Sequence, residues 1–329
     1  MLSRHFLRAK VLQVLYAAKA DEADVLRAEK LFEVQLRRLN ELAVWQISTL
    51  FELQKAARQV LEAGMTKFRP TPEERHPSMR LPENIFLNRL VDNYDLRHQM
   101  EHYHVVWDPA DDLFCKLFLT FRTSEQYKEY VAEKEATFES DKDFALVMFK
   151  YLMNNDLVRD GFYERALLWE DDFDQIAQYA FMTMRALDET LEESTEFRQM
   201  SDTRNENDAE AMTFATQLLR DSMRLYDENV ELIKTHLNGW EFERVAQMDV
   251  LLLVMAISEL IECPSIPERV TIDEYIELSK EFSTERSKLF VNGVLDKLII
   301  ELRAAGRIQK SGRGIFDPSF NYEEYSNEK

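Results

Sequence analysis

The chain has 329 residues, 45% of them apolar, with only seven glycines and eight prolines and a formal net charge of −20. That apolar fraction supplies a full core and excludes a disordered chain, while the scarcity of turn-forming residues argues against sheets and for long helices on short connections, an all-α fold. So acidic a surface repels phosphate backbones over most of its area, so any nucleic-acid contact must sit on a local patch where cations outnumber acids.

Leu7, Val11, Leu15 and Ala18 recur at helical spacing and predict an amphipathic helix over 3–20, with Ser3 as its N-cap. Residues 30–68 continue the helical pattern until the prolines at 70, 72, 77 and 82, which mark a linker over 69–83. Helical patterning resumes over 85–103, 111–121, 124–138, 141–157 and 164–191. A charge-dense interval, 192–210, then reads as a loop and a second boundary. Further helices are expected at 211–237, 240–262, 272–282 and 284–304. Pro264 and Pro267 close the second of these, and Thr271 with Glu274 reads as a capping box for the third. Residues 306–329 read as a loose tail.

Cys115 and Cys263 sit in apolar contexts without a CxxC pairing, which points to a reducing compartment and no disulfide framework. The N-terminal stretch has no uninterrupted apolar signal region, and the longest apolar run, 250–257, is too short to span a bilayer. The expectation is a cytoplasmic protein without a membrane segment.

His98, Glu101 and His102 match the H-x-x-E-H pattern of a zinc peptidase, but on a wholly helical chain rich in Glu the match reads as chance. No glycine-rich phosphate loop and no nucleophile paired with a base appears, so neither catalysis, a metal nor a cofactor is expected. Binding is the better reading. Residues 1–20 hold Arg4, Arg8, Lys10 and Lys19 and no acid, with His5 beside Arg8 and a row Arg4, Arg8, Leu12 and Tyr16 at i, i+4 spacing. This basic island at a helix N-terminus suits phosphate. A second cluster, Arg286, Lys288, Phe290 and Asn292, combines cations, a ring and a carboxamide. That chemistry suits single-stranded RNA through phosphate contacts, base stacking and base-edge hydrogen bonds.

The C-terminal third resembles the NusB transcription antitermination factors. The resemblance is carried by FATQLL at 214–219, MDVLLLVMAISEL at 248–260, IPERVTIDEYIELSK at 266–280 and FVNGVLDK at 290–297, and QVLY at 13–16 fits the family's first helix. It implies a NusB-like helical bundle, enlarged by an inserted helical region over 21–205, with 1–20 as its first helix and 206–305 as its C-terminal half. It also implies an RNA-binding factor that pairs with NusE, the small-subunit ribosomal protein. Together they would read boxA-type RNA of ribosomal RNA operons within an RNA polymerase antitermination complex. By position, Arg4, His5 and Arg8 match the family's basic start, Phe290 and Asn292 its RNA-facing motif, and Tyr16 and Asp249 positions used toward NusE. Phe6 and Leu7 interrupt the basic run, and Val254 stands where the family usually has Arg. The resemblance says nothing of what 21–205 does. Within FVNGVLDK, Val291, Val294, Leu295 and Leu298 have the spacing of a buried stripe. Gly293 is expected at a close helix approach, and Asp296 and Lys297 are expected to hold neighbouring helices. The competing reading keeps the fold as a protein-binding scaffold with little RNA affinity.

Overall fold

A computed structural model describes residues 3–108, 112–133, 135–197, 199, 206–237 and 241–315, with the backbone alone for 206–208. Parts of five expected elements, at 111, 134, 198 with 200–205, 240 and 316–329, lie outside them. Among the described residues the regular structure is entirely helical. The chain divides into two compact units, residues 1–35 with 201–329 and residues 36–200.

The first unit begins with α1 (Arg4–Ala20), where the Ser3 hydroxyl accepts from the Phe6 amide at 3.1 Å and Leu7, Val11, Leu15 and Ala18 are fully buried. The 41-residue α2 (Val25–Met65) runs across the division of the two units. Within the 69–83 interval the second unit forms the short α3 (Pro72–Arg75), capped reciprocally by Thr71 and Glu74.

The helix expected over 85–103 is two helices, α4 (Ile85–Asp92) and α5 (Tyr94–His102), because Asn93 takes an extended backbone. Its side chain caps α5 by accepting from the Leu96 amide at 2.9 Å and donates to the Thr195 carbonyl at 2.7 Å. Next come α6 (Leu113–Phe121), α7 (Glu125–Ala132), α8 (Phe138–Met153), α9 (Asp156–Arg165) and α10 (Phe173–Arg185). α9 fills the interval left between the helices expected at 141–157 and 164–191, and the second of these is broken at Ala166, whose extended backbone leads into one 3-10 turn before α10. The core of this unit is aromatic. Trp107 packs edge-on to Trp45, Phe114 and Phe162 at centroid distances of 5.2, 5.0 and 5.8 Å, and its indole N–H donates to the Ser48 hydroxyl at 2.8 Å. Asp141, also buried, accepts from the Tyr130 hydroxyl at 2.9 Å and the Ile85 amide at 2.7 Å, so its charge is met by donors.

The first unit resumes with α11 (Glu206–Arg224), α12 (Tyr226–Thr235), α13 (Gln247–Glu262), α14 (Glu268–Phe282) and α15 (Ser287–Ala304). α13 is apolar all round and is the helix that α11, α12, α14, α15 and α1 pack against. Two expectations are corrected here. Thr271 and Glu274 form no capping box: α14 starts a turn earlier, with Pro267 at its N-cap, and both side chains point their chemistry elsewhere. Residues 306–315 are not loose. Ile308 packs on Leu260, Ile272, Ile276 and Ile299, the Ser311 amide donates to the Pro264 carbonyl at 2.9 Å, and the Lys310 ammonium donates to the Cys263 carbonyl at 3.0 Å. No described helix is long and apolar enough to cross a membrane.

Candidate nucleic-acid interface

The first turn of α1 brings Arg4, His5 and Arg8 together, but against carboxylates. Arg8 is 1% exposed and forms a two-pronged pair with Glu259, Nε to Oε2 at 2.7 Å and Nη2 to Oε1 at 2.8 Å. Glu259 also accepts from the Thr271 hydroxyl at 2.9 Å and the Tyr275 hydroxyl at 3.1 Å, and Glu274 stands 3.3 Å from Arg8 Nη1. Burial disfavours the guanidinium charge, but the Glu259 carboxylate outweighs it and raises the Arg8 pKa. His5 lies between Glu274, 2.8 Å from Nδ1, and Glu281, 3.0 Å from Nε2; burial opposes its charge, yet the two carboxylates hold its pKa above 6.5. Arg4 pairs with Glu210 at 2.5 Å and lies over the Phe214 ring at 5.3 Å. Arg8, expected among the RNA-facing cations, is therefore a buried structural ion, and Arg4 and His5 are engaged by acids across α11 and α14.

The second cluster is divided by its own helix. Arg286, Lys288, Phe290 and Asn292 alternate at spacing two, which on an α-helix sends alternate members to nearly opposite sides. Arg286 at the N-cap of α15 and Leu289, Phe290, Gly293, Val294 and Lys297 within it form one stripe, and they line a groove of about 860 Å³. Its other walls are His236 and Leu237 beyond α12, Arg244 to Ala246 leading into α13, and Asp249. Lys288 and Asn292 are not among the lining residues; Lys288 is exposed, and Asn292 donates to Asp296 at 3.1 Å. Arg244, Arg286 and Lys297 are all exposed, so three cations rim a groove with an apolar wall. Lys297 thus faces the groove instead of holding a neighbouring helix. Gly293 does not serve a close approach either, since a Cβ there meets nothing within 4 Å.

Asp249 is 6% exposed and accepts the Ser287 hydroxyl at 2.9 Å. Tyr16, by contrast, is 43% exposed. The residues that the sequence reading missed are Glu259, Glu274, Glu281 and Glu210, which neutralise α1, and Arg244, which joins the groove. At the zinc-peptidase pattern, His98 stacks on Tyr94 and His102 meets Tyr103 edge-on. Among the described residues no three His, Cys, Asp or Glu side chains are grouped to hold a metal.

An all-helical unit built round one apolar helix, with a cation-rimmed groove at that helix's N-terminal end, places the chain in the helical-bundle class. The sequence pattern of the NusB family matches residues 173–299, from the start of α10 into α15. A protein of Salinibacter ruber named "Transcription antitermination protein NusB" is 40% identical over 110 residues, 33% of this chain and 69% of that protein. Proteins of the same name from Chloroherpeton thalassium and Myxococcus xanthus are each 38% identical, over 49% and 70% of their own lengths and 30% of this chain. The chain belongs to the NusB family, and it extends well beyond the 173–299 segment that the family pattern matches.

Proposed function

We propose that this protein is an RNA-binding transcription antitermination factor that acts with NusE on boxA-type RNA in ribosomal RNA transcription, and that its RNA contact centres on the α15 groove. The observation that carries the reading is the gathering of Arg244, Arg286 and Lys297 around Phe290 in a chain of net charge −20. Arg4, His5 and Arg8, which would otherwise hold phosphate, are paired with acids. Single-stranded RNA is matched by this combination, because cations meet phosphates while a ring packs on a base. Tyr16, exposed on α1, is the better placed of the two partner-facing expectations, since Asp249 is recessed.

Fluorescence anisotropy with a labelled boxA-type RNA, with and without NusE, tests the reading. The expected result is binding that NusE strengthens and that Arg286→Glu weakens about tenfold or more, the loss of an attractive contact being compounded by a repulsive one. RNA binding that is indifferent to Arg286→Glu and to NusE would overturn it. The neutralised start of α1 favours one alternative, a protein-binding scaffold with little RNA affinity. In that case partners captured on the full chain survive nuclease treatment and no RNA shift appears.

A further inference from the structure

The α15 groove is matched in charge and polarity by a segment of its own chain. Residues 316–329 read FDPSFNYEEYSNEK, with four rings and four acids, Asp317, Glu323, Glu324 and Glu328, against one cation, Lys329. The groove presents the converse: Arg244, Arg286 and Lys297 are exposed around an apolar wall that includes Leu289 and Phe290. Carboxylates complement the rim, and tyrosine rings cover apolar surface while their hydroxyls stay in water. Leu289 is 66% exposed, so the wall offers apolar surface to an occupant.

Reach selects the part of the segment that fits. Residues 306–315 are held just past the C-terminal end of α13, where the Ser311 amide donates to the Pro264 carbonyl at 2.9 Å and Gly314 lies against the same carbonyl. The groove lies at the other end of α13, at Ala246 and Asp249. From Asp249 to Cys263 the helix rises about 21 Å. Extended chain covers about 3.3 Å per residue, so from Ile315 Tyr322 reaches about 23 Å and Tyr325 about 33 Å, whereas Phe316 and Phe320 fall short. α15 supplies a route, since Gly293, Lys297, Ile300 and Ala304 share one face; Ile300 is 63% exposed, and a Cβ at Gly293 meets nothing within 4 Å. We propose that residues 322–325, Tyr-Glu-Glu-Tyr, dock in the groove of their own chain, Glu323 and Glu324 on its cations and the tyrosines on its apolar wall, and compete with RNA for it. Tethering sets an effective concentration of roughly millimolar, so a weak contact suffices to occupy the groove. The competition rests on RNA being the ligand of this face; the docking does not.

The test is zero-length carbodiimide cross-linking of the dilute full chain, with the links mapped by mass spectrometry on the monomer band. A link from Lys297 to Glu323 or Glu324 is expected. Tyr322→Ser with Tyr325→Ser keeps every charge and the same tether, and should lower the yield of that link about fivefold or more. No link in the parent overturns the docking, and that arm needs no substitution. A link that the double variant leaves unchanged overturns it too, because tethered proximity alone then accounts for it. Links found only between chains place a second copy's segment in the groove and overturn docking within one chain. Anisotropy with a labelled boxA-type RNA reads the competition separately: the double variant, equal in net charge to the parent, should bind about threefold or more tighter. RNA binding that the double variant leaves unmoved, while the link is lost, overturns the competition and the RNA reading of the groove but leaves the docking standing.

Discussion

Glu259 sits on a helix that is buried on every side, and a charge in that position requires a buried partner and further donors to hold it there. Arg8, Thr271 and Tyr275 supply them. Removing one charge strands the other, so Glu259→Gln is expected to destabilise the first unit by about 3–5 kcal/mol, whereas Arg8→Met with Glu259→Leu recovers most of the loss. Urea unfolding of the two variants checks this; a single variant as stable as the parent would refute it. His5 adds a pH dependence. Its folded pKa is raised above 6.5, so its clamp on Glu274 and Glu281 stabilises fully below pH 6.5 and is lost as pH rises through the raised value. The gap in Tm between parent and His5→Gln should accordingly be widest near pH 5.5 and close by pH 8.5, and a gap that widens with pH would contradict the clamp. The sequence showed the cations of α1 plainly but not their partners, which are 200 residues and more away. The one legible warning was Glu259 itself, an acid embedded in the apolar run from Val250 to Leu260, for such a residue must find a cation somewhere in the chain.

At the scale of elements, helix existence was readable and helix breaks were not. Asn93 and Leu225 end and restart helices within stretches of unbroken apolar periodicity, because a cap or a local backbone turn costs the pattern nothing. The Thr271–Glu274 pattern misled for a related reason: a proline one turn upstream already starts α14, which frees both side chains for Glu259 and the α1 cations. Two glycines separate what composition treats alike. Gly314 lies so close to the Pro264 carbonyl oxygen that a Cβ would collide with it, which pins residues 306–315 to the α13–α14 turn. Gly293 faces open space within α15. Gly314→Ala should therefore destabilise by about 1–3 kcal/mol through forced backbone shifts, while Gly293→Ala should stabilise by about 0.5–1 kcal/mol through the entropy of the unfolded chain. A denaturant midpoint that Gly314→Ala leaves unchanged or raises would show that residues 306–315 are not held as described, and one that Gly293→Ala lowers would contradict the open space at that position.

Over the whole molecule, the scarcity of Gly and Pro already dictated an all-helical chain, and the motifs at 266–280 and 290–297 already named its family. What 36–200 contributes was not legible, since an aromatic core such as that around Trp107 is built for packing and carries no binding motif. Net charge bears most directly on function. On the proposed reading, a net charge of −20 opposes RNA by long-range repulsion, so affinity would come from the few cations of the groove and fall as their contacts are screened. Each phosphate contact with single-stranded nucleic acid contributes about 0.7 to the salt exponent. Three contacts, from Arg244, Arg286 and Lys297, thus predict that log affinity falls against log salt with a slope of about −2. Arg286→Gln should lower the magnitude of that slope by about 0.7, while Arg4→Gln, whose cation is held by Glu210, should leave it nearly unchanged. Anisotropy titrations between 50 and 300 mM salt (about a sixfold range) measure both. A parental slope steeper than about −4, or one that Arg4→Gln flattens as much as Arg286→Gln does, would move the phosphate contacts from the groove back to the start of α1.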